Sequence, residues 1–257
     1  SSSIGQWPLR AHCVKFCVSH ECLLSVAKLL KAFQELTTPP LRSYVICTTP
    51  RSGSTLLCKL LAATGVAGMP DSHFHSPSVE RWLTVYGLDE TPFSSREAAL
   101  RAVFDAALAR GAANTGIFGL RMQRGSFGFF MEQLTLLSPD QNNDIDRIES
   151  VLGPTTFLHL SRQDRLGQAI SRLRAEQTGL WHRHADGSEM ERLAPPKEPR
   201  YDLDAIARHI EELSALDAEW EQWFEQYKLE PSRITYDALS ADPQKVLSEV
   251  LSSIGRD

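Results

Sequence analysis

The sequence predicts an α/β fold: a mainly parallel sheet of about four or five strands with helices on both faces. Three observations carry that expectation. β-prone apolar runs at 44–47, 115–122, 155–162 and 233–236 alternate with helical patterns. The first run passes through a turn rich in proline, glycine and hydroxyl residues directly into a helix. The chain has 257 residues with 42% hydrophobic content, enough to bury a substantial core.

Composition narrows the function classes. A net charge of −5 argues against a general nucleic-acid binder, so any anion site must be built locally. The five cysteines (13, 17, 22, 47 and 58) are an odd number, and Cys47 and Cys58 lie inside apolar runs. That pattern suits free thiols in a reducing cytoplasm better than a disulfide framework. No apolar stretch reaches the ~18 residues a membrane helix needs. The N-terminal stretch lacks an apolar signal segment with a cleavage site.

Residues 1–40 read as a helical extension. Leu23, Leu24, Val26, Ala27, Leu29, Leu30 and Phe33 give an apolar face to a helix near 21–35, available to the domain or to a second copy in a homodimer. Cys13, Cys17, His20 and Cys22 match no zinc spacing, so no metal is expected there. Thr38, Pro39 and Pro40 end the helix and open the main domain, 41–257.

Tyr44 to Cys47 then reads as a buried strand. Pro50, Ser52, Gly53 and Ser54 break it, and Leu56, Leu57, Leu60 and Leu61 recur at helical spacing. A helix entered this way has unpaired N–H groups and the positive end of its dipole at the turn, which makes an anion site. Arg51 adds charge, and Ser52, Ser54 and Thr55 add hydroxyls. A nucleoside-triphosphatase loop would need a Gly-Lys pair, which is missing. A cysteine-phosphatase cradle would need arginine six residues after Cys47, where Gly53 stands. An ordinary strand–turn–helix connection, capped by Ser52 or Ser54, is the alternative.

The string Thr49-Pro-Arg-Ser-Gly-Ser-Thr-Leu56 resembles the 5′-phosphosulfate loop of sulfotransferases that use 3′-phosphoadenosine 5′-phosphosulfate. With Ala63-Thr-Gly-Val-Ala-Gly68 and Pro70 it is similar to the trehalose 2-sulfotransferase family and its bacterial glycan- and lipid-directed relatives. The resemblance runs in patches to about residue 255 and implies a P-loop-like sheet. It also implies that Arg51, Ser52, Gly53, Ser54, Thr55 and Leu56 hold the phosphosulfate. The family's general-base glutamate aligns with Ser72, a departure, since serine is a poor base. The adjacent His73 is therefore the expected base, with Asp71 and His75 as alternatives.

Helical patterns fill 78–111, with a start at Ser94 or Ser95. Thr115 to Met122 reads as the second strand. The resemblance puts Arg121 where the family has a sulfate-facing lysine. A helix at 127–137 and a surface loop at 138–143 precede the third strand, 155–162. Arg162 at its end and Ser171, nine residues on in the helix 164–177, match the family's pair for the donor's 3′-phosphate. Gln168, Ala169, Gln177, Thr178 and Trp181 extend the likeness, Trp181 as a stacking or core residue.

Residues 182–202 read as a mobile acceptor-binding lid, in which His182 and His184 have no cluster of metal ligands around them. A long helix at 201–227, a strand at 233–236, an Asp-Pro linker through Pro243 and a helix at 244–254 complete the chain. In the family, further basic residues beyond this point help close over the donor. The expected activity is sulfuryl transfer to a small-molecule or glycolipid hydroxyl, without a metal or nucleic acid. A small-molecule kinase, or a nucleotide binder that has lost its base, are the competing readings.

Overall fold

Alternation of apolar side chains sets the middle of the sheet. The computed structural model describes residues 41–183 and 186–256. In chain order the elements are β1 (Arg42–Thr48), α1 (Ser54–Ala63), α2 (Val79–Tyr86), α3 (Arg96–Ala112), β2 (Ile117–Gln123), α4 (Arg124–Leu137), α5 (Asp144–Leu152) and β3 (Thr155–Ser161). They continue with α6 (Arg165–Thr178), β4 (Leu180–Arg183), β5 (Glu189–Arg192), α7 (Leu203–Gln226), β6 (Ser232–Thr235), α8 (Tyr236–Ala241) and α9 (Pro243–Ser253).

Four strands form a parallel sheet in the order β2-β1-β3-β6. Strand β1 is buried from Ser43 to Thr48 because both faces of the sheet are covered. Val45 and Cys47, with Phe118, Leu120 and Phe157, pack toward α2 to α5 and α7. Tyr44 and Ile46, with Leu158, Leu160 and Ile234, pack toward α1 and α9. The strands therefore read as continuous apolar runs, and their C-terminal ends share one edge, where Thr48, Gln123, Ser161 and Thr235 give way to loops and helices.

Most helix starts carry a side-chain cap. Ser78, Ser95, Asn143, Asp164, Asp202, Thr235 and Asp242 each accept a backbone N–H from their own first turn. Helix α1 does not: its cap is Gly53, with no side-chain hydrogen bond.

Three stretches differ from the sequence expectation. The 182–202 region is partly ordered as the antiparallel hairpin β4–β5, turning at Gly187 in the left-handed region. Its alternation is hidden because His182, Arg183, Glu189, Glu191 and Arg192 are polar on both strands. Helix α5 follows directly on the predicted 138–143 loop, with Ile148 and Leu152 buried between acidic residues. The Asp-Pro linker contains the short helix α8. The predicted helix at 21–35, Cys13, Cys17, His20 and Cys22, and the extension 1–40 lie outside the described residues, as does His184. Cys47 and Cys58 are buried free thiols. Among the described residues, no helix is long and apolar enough to cross a membrane.

One core residue ties helix α7 to the site edge. Trp220 is fully buried, packs on Phe127 and Phe224, and donates its indole N–H to the Thr48 carbonyl at 3.0 Å. Trp220→Phe removes that donor and leaves space beside it. The expected loss is about 2–3 kcal/mol, measured as a lower urea midpoint with an unchanged slope.

Candidate active site at the strand C-termini

The loop between β1 and α1 adopts a conformation that few side chains favour. Arg51 has φ +64° and Gly53 φ +88°, both left-handed. At Gly53 glycine is also required by space, since a Cβ there would lie 2.4 Å from Cδ2 of Tyr236. Ser52 is fully buried and bonds to the Thr48 hydroxyl, so it does not cap the helix. The uncapped start of α1 keeps its N–H groups and positive dipole end for a ligand.

A buttress from α6 holds this loop. Gln168, fully buried, donates from Nε2 to Thr49 Oγ1 at 3.1 Å and to the Pro50 carbonyl at 2.6 Å. Its Oε1 accepts from Arg165 at 2.7 Å, and Arg165 donates in turn to Asp217 on α7. The carboxyl of Asp217 is pushed up by burial but held below its usual range overall by His159 and Arg165.

Three guanidinium groups surround the loop. Arg51 donates from Nε to Ser171 Oγ at 3.0 Å and from a terminal nitrogen to the Trp181 carbonyl. Arg121 leaves the sheet beside β1, paired in register with Ile46. It donates to Ser72 Oγ at 2.7 Å and Thr55 Oγ1 at 2.6 Å, and lies 3.4 Å from Asp71. Arg162 stacks over the Tyr236 ring at 4.5 Å and reaches Asp164 at 3.3 Å, while its Nε is buried without a partner. Burial and the like charge of Arg162 push Arg51 below its usual range. That is the cost of collecting cations where an anion would offset them.

The residues expected at a donor site meet in one cleft, except Ser52, whose side chain is buried against Thr48 and does not line it. Arg51, Gly53, Ser54, Thr55, Leu56, Arg162 and Ser171 all line it, joined by Tyr236, which the sequence reading had assigned only to a strand end. The terminal carboxyl-end rule for parallel sheets is the signal that would have found it. Arg121, Ser72 and His75 line the adjoining space with Trp181, His182 and Glu191.

His73 is placed differently from Ser72. It borders the space around Thr55 and Arg121, yet it is only 6% exposed and packs on Phe118 at 5.2 Å. Its Nε2 lies 3.2 Å from the Met69 carbonyl, which can only accept, so Nε2 carries the hydrogen. Nδ1 lies 3.1 Å from the Tyr86 hydroxyl, which also reaches the His73 carbonyl at 3.3 Å. Burial lowers the imidazole's proton affinity. The side chain next to the aligned base position therefore has its ring nitrogens engaged in the core, while Ser72 is the one that meets Arg121. Among the described residues no group of three His, Cys, Asp or Glu side chains is arranged for a metal.

The sequence matches known proteins over most of its length. The family model for Stf0 sulphotransferase matches residues 43–257. Trehalose 2-sulfotransferase of Mycobacterium tuberculosis is 29% identical over 239 residues, covering 84% of this chain and 85% of the relative. Trehalose 2-sulfotransferase of Mycolicibacterium smegmatis is 28% identical over 236 residues, with the same coverage. The solved sulfotransferase domain of the Synechococcus PCC 7002 olefin synthase is similar at 17% identity and a TM-score of 0.47, covering 86% of this chain and 77% of that one. Loop, arginines and sheet edge occur within the matched residues, and the chain belongs to the Stf0 sulphotransferase family.

Proposed function

We propose that this chain moves a sulfuryl group from 3′-phosphoadenosine 5′-phosphosulfate to a hydroxyl of a carbohydrate or glycolipid. The observation that carries the reading is the convergence of Arg51, Arg121 and Arg162 on the uncapped start of α1. Trehalose is the acceptor in the names of the two mycobacterial relatives, and a sugar hydroxyl is the class taken here.

The residues present fit such a donor. The α1 N-terminus, Ser54, Thr55 and Arg51 would hold the 5′-phosphosulfate. The buried Nε of Arg162, which has no partner, and the hydroxyl of Ser171 would hold the 3′-phosphate. Ser171 accepts from Arg51, so its own hydrogen stays available to donate to a phosphate oxygen. The bound donor supplies an activated sulfur and a phosphate leaving group. Arg121 would offset the negative charge that grows on the bridging oxygen, from a position already fixed by Thr55 and Ser72. Catalysis on this reading is alignment of the reactants plus preset positive charge. The buried free thiols Cys47 and Cys58 fit a reducing compartment such as the cytoplasm.

Calorimetric titration with 3′-phosphoadenosine 5′-phosphate, beside ATP and AMP, tests the donor. Binding of the bisphosphate is expected to weaken roughly 10- to 150-fold in Arg162→Ala, the loss of charge-assisted hydrogen bonds. Failure of the unaltered protein to bind it, or a preference for ATP, would overturn the reading. Arg121→Ala separates catalysis from binding. Its turnover is expected to fall roughly 100- to 1,000-fold, with bisphosphate affinity changed far less, as compared by steady-state rates and the same calorimetry.

A further inference from the structure

The reaction needs a group to take the acceptor's proton, and the aligned base position holds Ser72 while His73 is engaged in the core. The hairpin brings another imidazole to the place where the transfer would occur. On β4, His182 puts Nε2 3.3 Å from Thr55 Oγ1 and 3.4 Å from Glu191 Oε2 on β5. Thr55 Oγ1 is also the atom that receives Arg121 at 2.6 Å, so His182 and Arg121 meet at one hydroxyl. With Thr55 accepting from Arg121, its own hydrogen is free to point at Nε2. In the tautomer in which Thr55 donates to Nε2, the ring hydrogen sits on Nδ1, and the Nε2 lone pair borders the cleft, held by the Thr55 hydroxyl until an acceptor hydroxyl takes that hydroxyl's place.

We propose that His182, steadied by Glu191, is the general base that removes the proton from the acceptor hydroxyl. The inference rests on the donor reading above. In the step, the acceptor oxygen bonds to sulfur while the bond from sulfur to the 5′-phosphate oxygen breaks. The leaving pair stays on that phosphate oxygen, and the hydroxyl proton passes to His182 Nε2. Glu191, next to Nε2, offsets the charge of the imidazolium that forms.

The surroundings favour a ring that is neutral at rest. Burial, then Arg51, and more weakly Arg121 and Lys59, push the proton affinity of His182 below its ordinary value, and Glu191 opposes them. An anion bound beside Arg51 and Arg121 would screen those cations and raise it. A base must be unprotonated, so the rate falls as pH drops through the His182 pKa.

The test combines turnover with an activity-independent readout. With 3′-phosphoadenosine 5′-phosphosulfate as donor and trehalose as acceptor, release of the bisphosphate is followed against pH for the full chain, His182→Gln and Glu191→Gln. His182→Gln is expected to lose roughly 100- to 10,000-fold in kcat and the acid limb of the profile, while calorimetry shows bisphosphate binding retained. Glu191→Gln is expected to lose less and to move the acid limb to lower pH. By NMR, the histidine resonance missing in His182→Gln should titrate below the ordinary histidine range and shift upward when the bisphosphate is added. Unchanged turnover and pH profile in His182→Gln would overturn the proposal. So would a His182 midpoint indifferent to the bisphosphate, or loss of bisphosphate binding that accounts for the whole rate defect. No bisphosphate binding by the unaltered chain would overturn the donor reading itself, and the proposal with it.

Discussion

Concentrating positive charge at one edge of a buried sheet is the constraint on which the rest of the site depends. Arg51, Arg121 and Arg162 are gathered around a loop of five residues, and the partners of Arg51 are neutral oxygens. Arg121 has two hydroxyls as its nearer partners and Asp71 only at 3.4 Å. Neutral partners fix the geometry of a guanidinium without cancelling its charge. Carboxylates in their place would build a stable ion-pair cluster that repelled an anionic ligand.

Such an arrangement needs scaffolding because its members repel one another. The loop is held from behind by Gln168, which is braced by Arg165 and Asp217 and thereby by α7. Trp220 on the same helix secures the last residue of β1. Gly53 lets Tyr236 approach the loop, and Tyr236 in turn carries Arg162 on its ring. Strain at Arg51 is thus maintained by contacts from α6, α7 and α8 together, and no single contact could maintain it.

The hairpin after α6 adds the second part of the cleft. Arg51 bonds to its Trp181 carbonyl, so the hairpin and the β1–α1 loop are coupled through one side chain. Polar residues on both strands keep the hairpin at the surface, with His182 and Glu191 lining the space beside Arg121. The sheet edge and the hairpin contribute different groups to one cleft, guanidinium groups and an uncapped helix start from the first, an imidazole and a carboxylate from the second.

Much of this was legible in the chain alone. The apolar run 44–47, the Pro-Arg-Ser-Gly-Ser-Thr turn and the spacing of Leu56, Leu57, Leu60 and Leu61 determined a strand, a tight turn and a helix, because these follow from local periodicity and turn chemistry. The same patterns marked the other three strands of the parallel sheet, but their order β2-β1-β3-β6 is a tertiary fact. What only the tertiary structure decided is which neighbours share a space. Ser72 and His73 are adjacent in sequence, yet one meets Arg121 and the other is packed on Phe118, since the chain turns here, with the His75 N–H donating to the Ser72 carbonyl at 3.2 Å. His182 and Thr55 are 127 residues apart, and no local rule relates them. Their contact exists because a hairpin with no apolar alternation folds back over the sheet edge, a choice made by long-range hydrogen bonds and charge rather than by the composition of the hairpin itself.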